Sequence, residues 1–200
     1  MALVISRDLK KYSLIYGLFL GLILLSFNII SFYLIITIVK SPIGVIGVPY
    51  LFSIILPIPC AIIVCYRLRA KMLVNWDFRI ATSGIFIMFL VAYFTIFIGR
   101  DQIFARVIEP NMSGKIENVL LNVTPVALKK SGATDKQVAD KQKEIRDQFA
   151  QQNNTTIGQQ IQSHVISIIF IFILALIFGA LFKKPAFAYT TVEINDKLVQ

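Results

Sequence analysis

The stretch that decides the fold runs from Tyr12 to Val39 and reads YSLIYGLFLGLILLSFNIISFYLIITIV. It contains no charged residue, and at about 1.5 Å per residue a helix of this length crosses a hydrocarbon core of roughly 30 Å. The run is too long for the apolar core of a signal peptide, and no small-residue cleavage site closes it. We therefore expect a transmembrane helix that remains in the protein as an anchor.

Three further apolar runs follow at residues 43–66, 80–98 and 165–182, and none of the four runs contains Asp, Glu, Lys, Arg or His. The chain is 56% hydrophobic and only 16% charged, whereas soluble domains are about 25% charged. The sequence predicts an all-α integral membrane fold in a single membrane domain over residues 1–200. Its core is a four-transmembrane-helix bundle with a helical insertion, residues 99–163, between the third and fourth helices.

The formal net charge of +9 is explained by where the basic residues lie. They flank the apolar runs, and short segments rich in Lys and Arg stay on the cytoplasmic side. These residues are Arg7, Lys10 and Lys11 before the first run, Arg67, Arg69, Lys71 and Arg79 between the second and third, and Lys183 and Lys184 after the fourth. We therefore expect cytoplasmic termini and a periplasmic insertion. No basic stripe interleaved with aromatic residues is present, so membrane lipids are the expected partners and nucleic acid is not.

The insertion has a helical pattern. Apolar residues recur at helical spacing in its first half, at Ile116, Val119, Leu120 and Val123, and again in its second half, at Val138, Ile145 and Phe149. Thr134 and Gln137 have the spacing of a capping box, and Pro125 and the Ser131-Gly132 pair are expected to separate the two helices. The stripe formed by Val138, Ile145 and Phe149 is expected to pack within this helical hairpin. The alternative is that it contacts a partner protein.

Several residues within the apolar runs are candidates for helix packing. Gly17 and Gly21 form a G-x-x-x-G pair in the first run, and Ala175 with Gly179 forms a similar pair of small residues in the fourth. Asn28 is expected to hydrogen-bond across helices. Prolines in the second run, Pro49, Pro57 and Pro59, are expected to bend its helix and to direct the freed carbonyl groups towards the other helices.

Residues with catalytic or metal-binding chemistry are sparse. Cys60 and Cys65 lie on different faces of one predicted helix and are expected to be free thiols. The single histidine, His164, has no neighbouring ligand in sequence, so an interfacial polar role is preferred over a metal site. An enzyme acting through Asp101, Glu109 and His164 is the least favoured hypothesis. We predict no catalytic residue, metal or cofactor.

Four features resemble a family of small membrane proteins of Bacteroidota known as domain of unknown function 4199. They are KYSLIYGL at residues 11–18, FARVIEP at residues 104–110, the Lys-, Glu- and Gln-rich residues 135–152, and a last apolar helix closed by Lys183-Lys184. One departure is Trp76-Asp77-Phe78-Arg79, where the family usually has a segment containing glycine and phenylalanine. The resemblance implies a bacterial inner-membrane location and no assigned activity, catalytic residue or cofactor.

Two functional hypotheses follow. The first is a non-enzymatic accessory or scaffold subunit that packs beside a membrane-protein partner or a second copy, with the insertion as its contact surface. The second is a protein that handles lipid or polyprenyl phosphate. In this hypothesis the kinked helix at Pro57 and Pro59 and the basic residues Arg67, Arg69 and Lys71 form a headgroup site.

Overall fold

The computed structural model describes residues 2–38, 41–72, 76–154 and 156–183, and the regular elements in these ranges are all helical. The α-helices are α1 (Ala2–Thr37), α2 (Pro42–Tyr50), α3 (Pro57–Lys71), α4 (Phe78–Ile96), α5 (Met112–Lys130), α6 (Asp135–Asn153) and α7 (Ile157–Phe182), and π-helical segments cover Leu51–Ile55 and Phe97–Ile108.

Four helical stretches are long and apolar enough to cross a membrane. The first span is Arg7–Thr37, the second Ile43–Lys71, the third Phe78–Ile108 and the fourth Ile157–Phe182. The predicted helical fold is confirmed for the described residues, and so is the number of helices that are long and apolar enough to span a membrane. Val39, Lys40, Lys184 and the residues after it, which include ends of the predicted runs, lie outside the described residues.

The spans are longer than the apolar runs. They hold between 26 and 31 residues, which corresponds to about 39–46 Å of helix against a hydrocarbon core of roughly 30 Å. The third span continues past Ile98 as a π-helix, so Arg100, Asp101 and Arg106 lie on this helix rather than in a loop. The fourth span begins at Ile157, where a capping box between Thr156 and Gln159 starts the helix before the apolar run. Helix ends therefore project beyond the membrane core.

The second span is not one regular helix. Proline lacks the backbone N–H that an α-helix interior requires, and here the chain uses a π-helical segment just before Pro57. The N–H of Leu56 donates to the carbonyl of Leu51, five residues back, at 2.9 Å. Pro57 then opens α3, where its missing donor costs no helical hydrogen bond. The interruption in this span thus lies at Leu51–Ile55.

The first and third spans pack in parallel at very short distance. A Cβ atom added to Gly17 would lie 2.6 Å from the carbonyl oxygen of Met88 and 2.8 Å from Cβ of Val91. One turn further along, a Cβ on Gly21 would lie 2.6 Å from Cβ of Thr95. Only glycine permits this approach, because any side chain would fill the space that the neighbouring helix occupies.

The fourth span packs on the other side of the third, in the opposite direction. Gly179 lies directly against Thr82, and Ala175 is completely buried. Nearer the middle of the bundle, the rings of Phe86 and Phe172 meet edge to face with centroids 5.6 Å apart. The third span is therefore the central helix of the bundle, between the first and the fourth.

Substitution of Gly17 by alanine tests the glycine contact. The added methyl group meets backbone atoms of the third span, so Gly17→Ala should lower the free energy of unfolding by roughly 1–3 kcal/mol. This is measured by denaturant titration in mixed micelles. Gly47→Ala is the matched control, because a Cβ at Gly47 has nothing within 4 Å and alanine favours a helix by about 1 kcal/mol. Equal losses in the two variants would contradict the packing argument.

Candidate functional site

The two ends of the bundle differ in charge. We call the end that carries residues 7–11, 67–72, 76–79 and 183 the basic end, and the end that carries residues 97–154 and 156–164 the loop end. The loop end holds the ion pairs Arg100–Asp101, Lys115–Glu109, Lys129–Asp135 and Lys141–Glu144. Among the described residues, no ion pair forms at the basic end, where the carboxylates are Asp8 and Asp77. Its basic side chains therefore carry uncompensated charge.

A groove of about 420 Å³ opens at the basic end between α1 and α3. It is lined by Tyr16 of the first span and by Tyr66, Arg67, Ala70 and Lys71 of the second. Arg67 and Lys71 are four residues apart, and so are Tyr66 and Ala70, so each pair forms one row along a helix face. The groove therefore combines two cations, two phenol groups and a small residue, and it is the candidate binding site.

The other predicted headgroup residues lie elsewhere. Arg69 is half-buried and does not line the groove, because a residue two positions from Arg67 points to nearly the opposite side of a helix. Pro57 begins α3, ten residues before Arg67, which is about 15 Å along the helix; Pro59 lies in the same first turn. The structure thus brings Arg67 and Lys71 together and leaves Arg69, Pro57 and Pro59 outside the groove.

The groove tyrosines were not among the sequence candidates. Tyr66 directly precedes Arg67, and its side chain is 64% exposed, which suits a residue at a membrane interface. Tyr16 comes from a different helix, so no spacing rule connects it with Arg67 in sequence. Its place in the groove depends on how α1 and α3 pack.

Asn28 bonds within its own helix rather than across helices. Its side-chain Nδ2 donates to the carbonyl of Leu24 at 2.9 Å. Ser26 behaves in the same way, since its hydroxyl donates to the carbonyl of Leu22 at 2.9 Å. Such bonds to the preceding turn satisfy polar groups locally. The predicted interhelical bond of Asn28 is therefore absent from the described contacts.

Glu109 joins three elements at the loop end. Its carboxylate accepts a hydrogen bond from the hydroxyl of Tyr33 at 3.2 Å and pairs with the ammonium group of Lys115. Below it, the buried rings of Phe32 and Phe104 meet edge to face with centroids 5.5 Å apart. Glu109 thereby connects the first span, the end of the third span and α5. Arg106 lies three residues before Glu109 but is not its ion-pair partner, because the helix ends at Ile108 and Glu109 is no longer helical.

The insertion is a helical hairpin whose apolar stripe is mostly covered. Val138 and Ile145 are buried and Phe149 is half-buried, and α6 packs on α5. The surface that Val138 and Ile145 offer to a partner is therefore small.

The turn of the hairpin lies at Ser131-Gly132, where Gly132 has a φ of +82°. Pro125 was expected to help separate the two helices, but it lies inside α5. The capping box between Thr134 and Gln137 is formed.

His164 packs against the third span rather than beside carboxylates. Its Nδ1 lies 2.6 Å from the hydroxyl of Tyr93, and its ring meets that of Phe97 edge to face at 4.6 Å. Asp101 and Glu109 have other partners, Arg100 and Lys115 among them. No group of three His, Cys, Asp or Glu side chains within the described ranges is arranged to hold a metal ion. His164 therefore stabilises the packing of the fourth span against the third through its contacts with Tyr93 and Phe97.

These features define a helical membrane protein with four spans, a loop-end hairpin and a cationic groove. The chain belongs to the family of proteins of unknown function DUF4199, whose model matches residues 14–184. Searches of curated proteins and of solved structures gave no match.

Acidification tests the role of Glu109. The ammonium group of Lys115 lowers the pKa of Glu109 from its ordinary value of 4.5. The contribution of the Glu109 carboxylate to holding the hairpin is therefore complete above the ordinary pKa of 4.5. It is lost as the pH falls through the lowered pKa. Spin labels at Ser131→Cys and Ile38→Cys, in a background without the native cysteines, should show a broader distance distribution once the pH falls below the lowered pKa.

The control for this measurement is Glu109→Gln, which removes the carboxylate from the junction. Its distance distribution should be broad at neutral pH and should not change further on acidification. A narrow distribution in Glu109→Gln at neutral pH would contradict a role for the carboxylate.

Proposed function

We propose that this chain is a non-enzymatic membrane protein that binds anionic lipid headgroups in the groove between α1 and α3. The observation that carries the proposal is the meeting of Arg67 and Lys71 in one open groove, with no described carboxylate paired to either. Both side chains are exposed, so their charges are accessible to a ligand, and a lipid phosphate supplies both negative charge and hydrogen-bond acceptors.

The position of the groove supports a lipid ligand. Arg67 and Lys71 lie in the last turns of the second span, where the helix leaves the apolar layer and headgroups are found. A basic residue near an anionic membrane surface contributes about 1 kcal/mol to lipid attraction. Cations also suit the carboxyl end of a helix because they interact favourably with its dipole. The dipole accounts for Lys71 in the last turn of α3, but it does not account for the groove that Arg67 and Lys71 share with two tyrosines.

We also propose that the basic end faces the cytoplasm in the inner membrane of a bacterium. The basic end holds uncompensated cations, whereas the nine basic residues of the insertion are nearly balanced by seven acidic ones. The positive-inside rule then places the hairpin outside. This orientation puts the groove at the cytoplasmic leaflet.

The accessory-subunit hypothesis is the second proposal, and one observation favours it. The hairpin is held to the bundle by Glu109 and its partners, Tyr33 and Lys115, so it forms a fixed platform rather than a loose loop. The buried positions of Val138 and Ile145 leave the charged outer face of α6 as the surface for a membrane-protein partner or a second copy.

Lipid binding is tested by removing the two cations that share the groove. Arg67→Ala/Lys71→Ala should weaken binding to vesicles containing phosphatidylglycerol by about 2 kcal/mol, or roughly 30-fold. Binding of the purified protein in nanodiscs can be followed by native mass spectrometry of retained lipid and by lipid exchange with labelled vesicles.

Arg69→Ala is the matched control, because it removes the same charge from the same helix outside the groove. Arg69 still adds to the general attraction of an anionic surface, so Arg69→Ala should weaken binding by at most about 1 kcal/mol, or roughly fivefold. If Arg69→Ala weakened binding as much as Arg67→Ala/Lys71→Ala did, diffuse charge would account for the attraction and the groove proposal would fail.

The orientation has its own test in intact cells. In a background without the native cysteines, Ser131→Cys in the hairpin turn should react with a membrane-impermeant maleimide added outside. Lys10→Cys at the basic end should react only after the cells are permeabilised. The reverse pattern would show that the basic end faces outward.

A further inference from the structure

We infer that the groove selects lipids that end in a phosphomonoester over lipids whose phosphate is a diester. Phosphatidic acid and polyprenyl phosphates belong to the first class, and phosphatidylglycerol belongs to the second. The inference rests on the proposed function and names the ligand class of the same site.

Charge complementarity is the first argument. Arg67 and Lys71 place two positive charges in the groove, and within the described part of the chain neither forms an ion pair. A phosphomonoester carries a charge of about −1.5 to −2 at pH 7, because its second pKa is near 6. A diester carries a single negative charge. The monoester therefore neutralises the groove, and the diester leaves about one positive charge uncompensated.

The donor groups supply the second argument. The guanidinium group of Arg67 presents a planar fork that can bond two phosphate oxygens at once, and the ammonium group of Lys71 acts as a point charge with three donors. Tyr16 and Tyr66 add two hydroxyl groups. A monoester offers three terminal oxygens to these donors and a diester offers two, so the monoester provides more acceptor sites for them.

The surface next to the groove indicates a lipid rather than free phosphate. Ile62, Tyr66 and Ala70 follow one another at intervals of four residues and share one face of α3. Ile62 is 45% exposed and Tyr66 is 64% exposed. This face runs from the groove back along the second span towards the apolar layer. An acyl or isoprenyl chain attached to the phosphate can lie along it, which places the phosphate between Arg67 and Lys71.

The experiment compares two lipids in the full-length protein. Vesicles of phosphatidylcholine are prepared with either phosphatidic acid or phosphatidylglycerol at the same total surface charge, and lipid transfer to the protein in nanodiscs is measured. Near neutral pH we expect about a fivefold to tenfold preference for phosphatidic acid. The preference should shrink as the pH is lowered below about 6, because the monoester then loses its second charge.

Arg67→Lys is the matched variant, because it keeps the charge and removes the bidentate fork. It should retain binding of both lipids but reduce the preference for phosphatidic acid. Inorganic phosphate added in excess should compete weakly, since it lacks the chain that lies along the face of Ile62.

The outcomes separate the inference from the proposed function. Equal binding of the two lipids, with both lost in Arg67→Ala/Lys71→Ala, would overturn the selectivity and leave anionic lipid binding in place. Binding of either lipid that is unaffected by Arg67→Ala/Lys71→Ala would overturn the function itself. Full competition by inorganic phosphate would overturn the assignment of a lipid-borne phosphate.

Discussion

The close approach of the first and third spans is the contact on which the other parts of the bundle depend. Gly17 lies against the backbone of Met88, and Gly21 lies against Ala92 and the side chain of Thr95. In a membrane no hydrophobic force drives helices together, so tight packing of this kind has to supply the association energy. Once the third span is fixed against the first, its opposite face receives the fourth span at Thr82 and Gly179.

The same parallel pair determines how the two ends of the molecule differ. At the loop end, Tyr33 of the first span contacts Glu109 at the end of the third span. This contact holds α5 and the hairpin against the bundle. At the basic end, the first span meets α3 instead, and Tyr16 faces a helix whose last turns are cationic. One end is thus internally neutralised, and the other has charge available for a ligand. This asymmetry is the physical basis for proposing a lipid site at the basic end.

The sequence was sufficient for the four spans, because charge-free runs report membrane depth directly. It was insufficient for the helix ends, since polarity marks where a helix leaves the membrane and not where it stops. Arg100 and Asp101 therefore appeared to belong to a loop although the third span continues through them. For the hairpin, Thr134 could be predicted as the helix cap, because a capping box depends only on residues close in sequence. Pro125 was misleading, because the helix continues through it.

The groove was predictable only in part. Arg67 and Lys71 were identified by charge, and helical periodicity alone separates them from Arg69. Tyr16 was beyond sequence reasoning, because its contribution depends on which helix faces α3. Pairing between distant segments is a property of the assembled bundle and has no local signature.

The pairing of the first and third spans has a consequence for biogenesis. During synthesis the first span enters the membrane well before the third span has been made. Its natural neighbour in sequence, the second span, does not cover the stripe of Gly17 and Gly21, because the third span occupies that face in the finished protein. The face that carries Gly17 and Gly21 therefore gains its partner only once a helix some seventy residues later has been made.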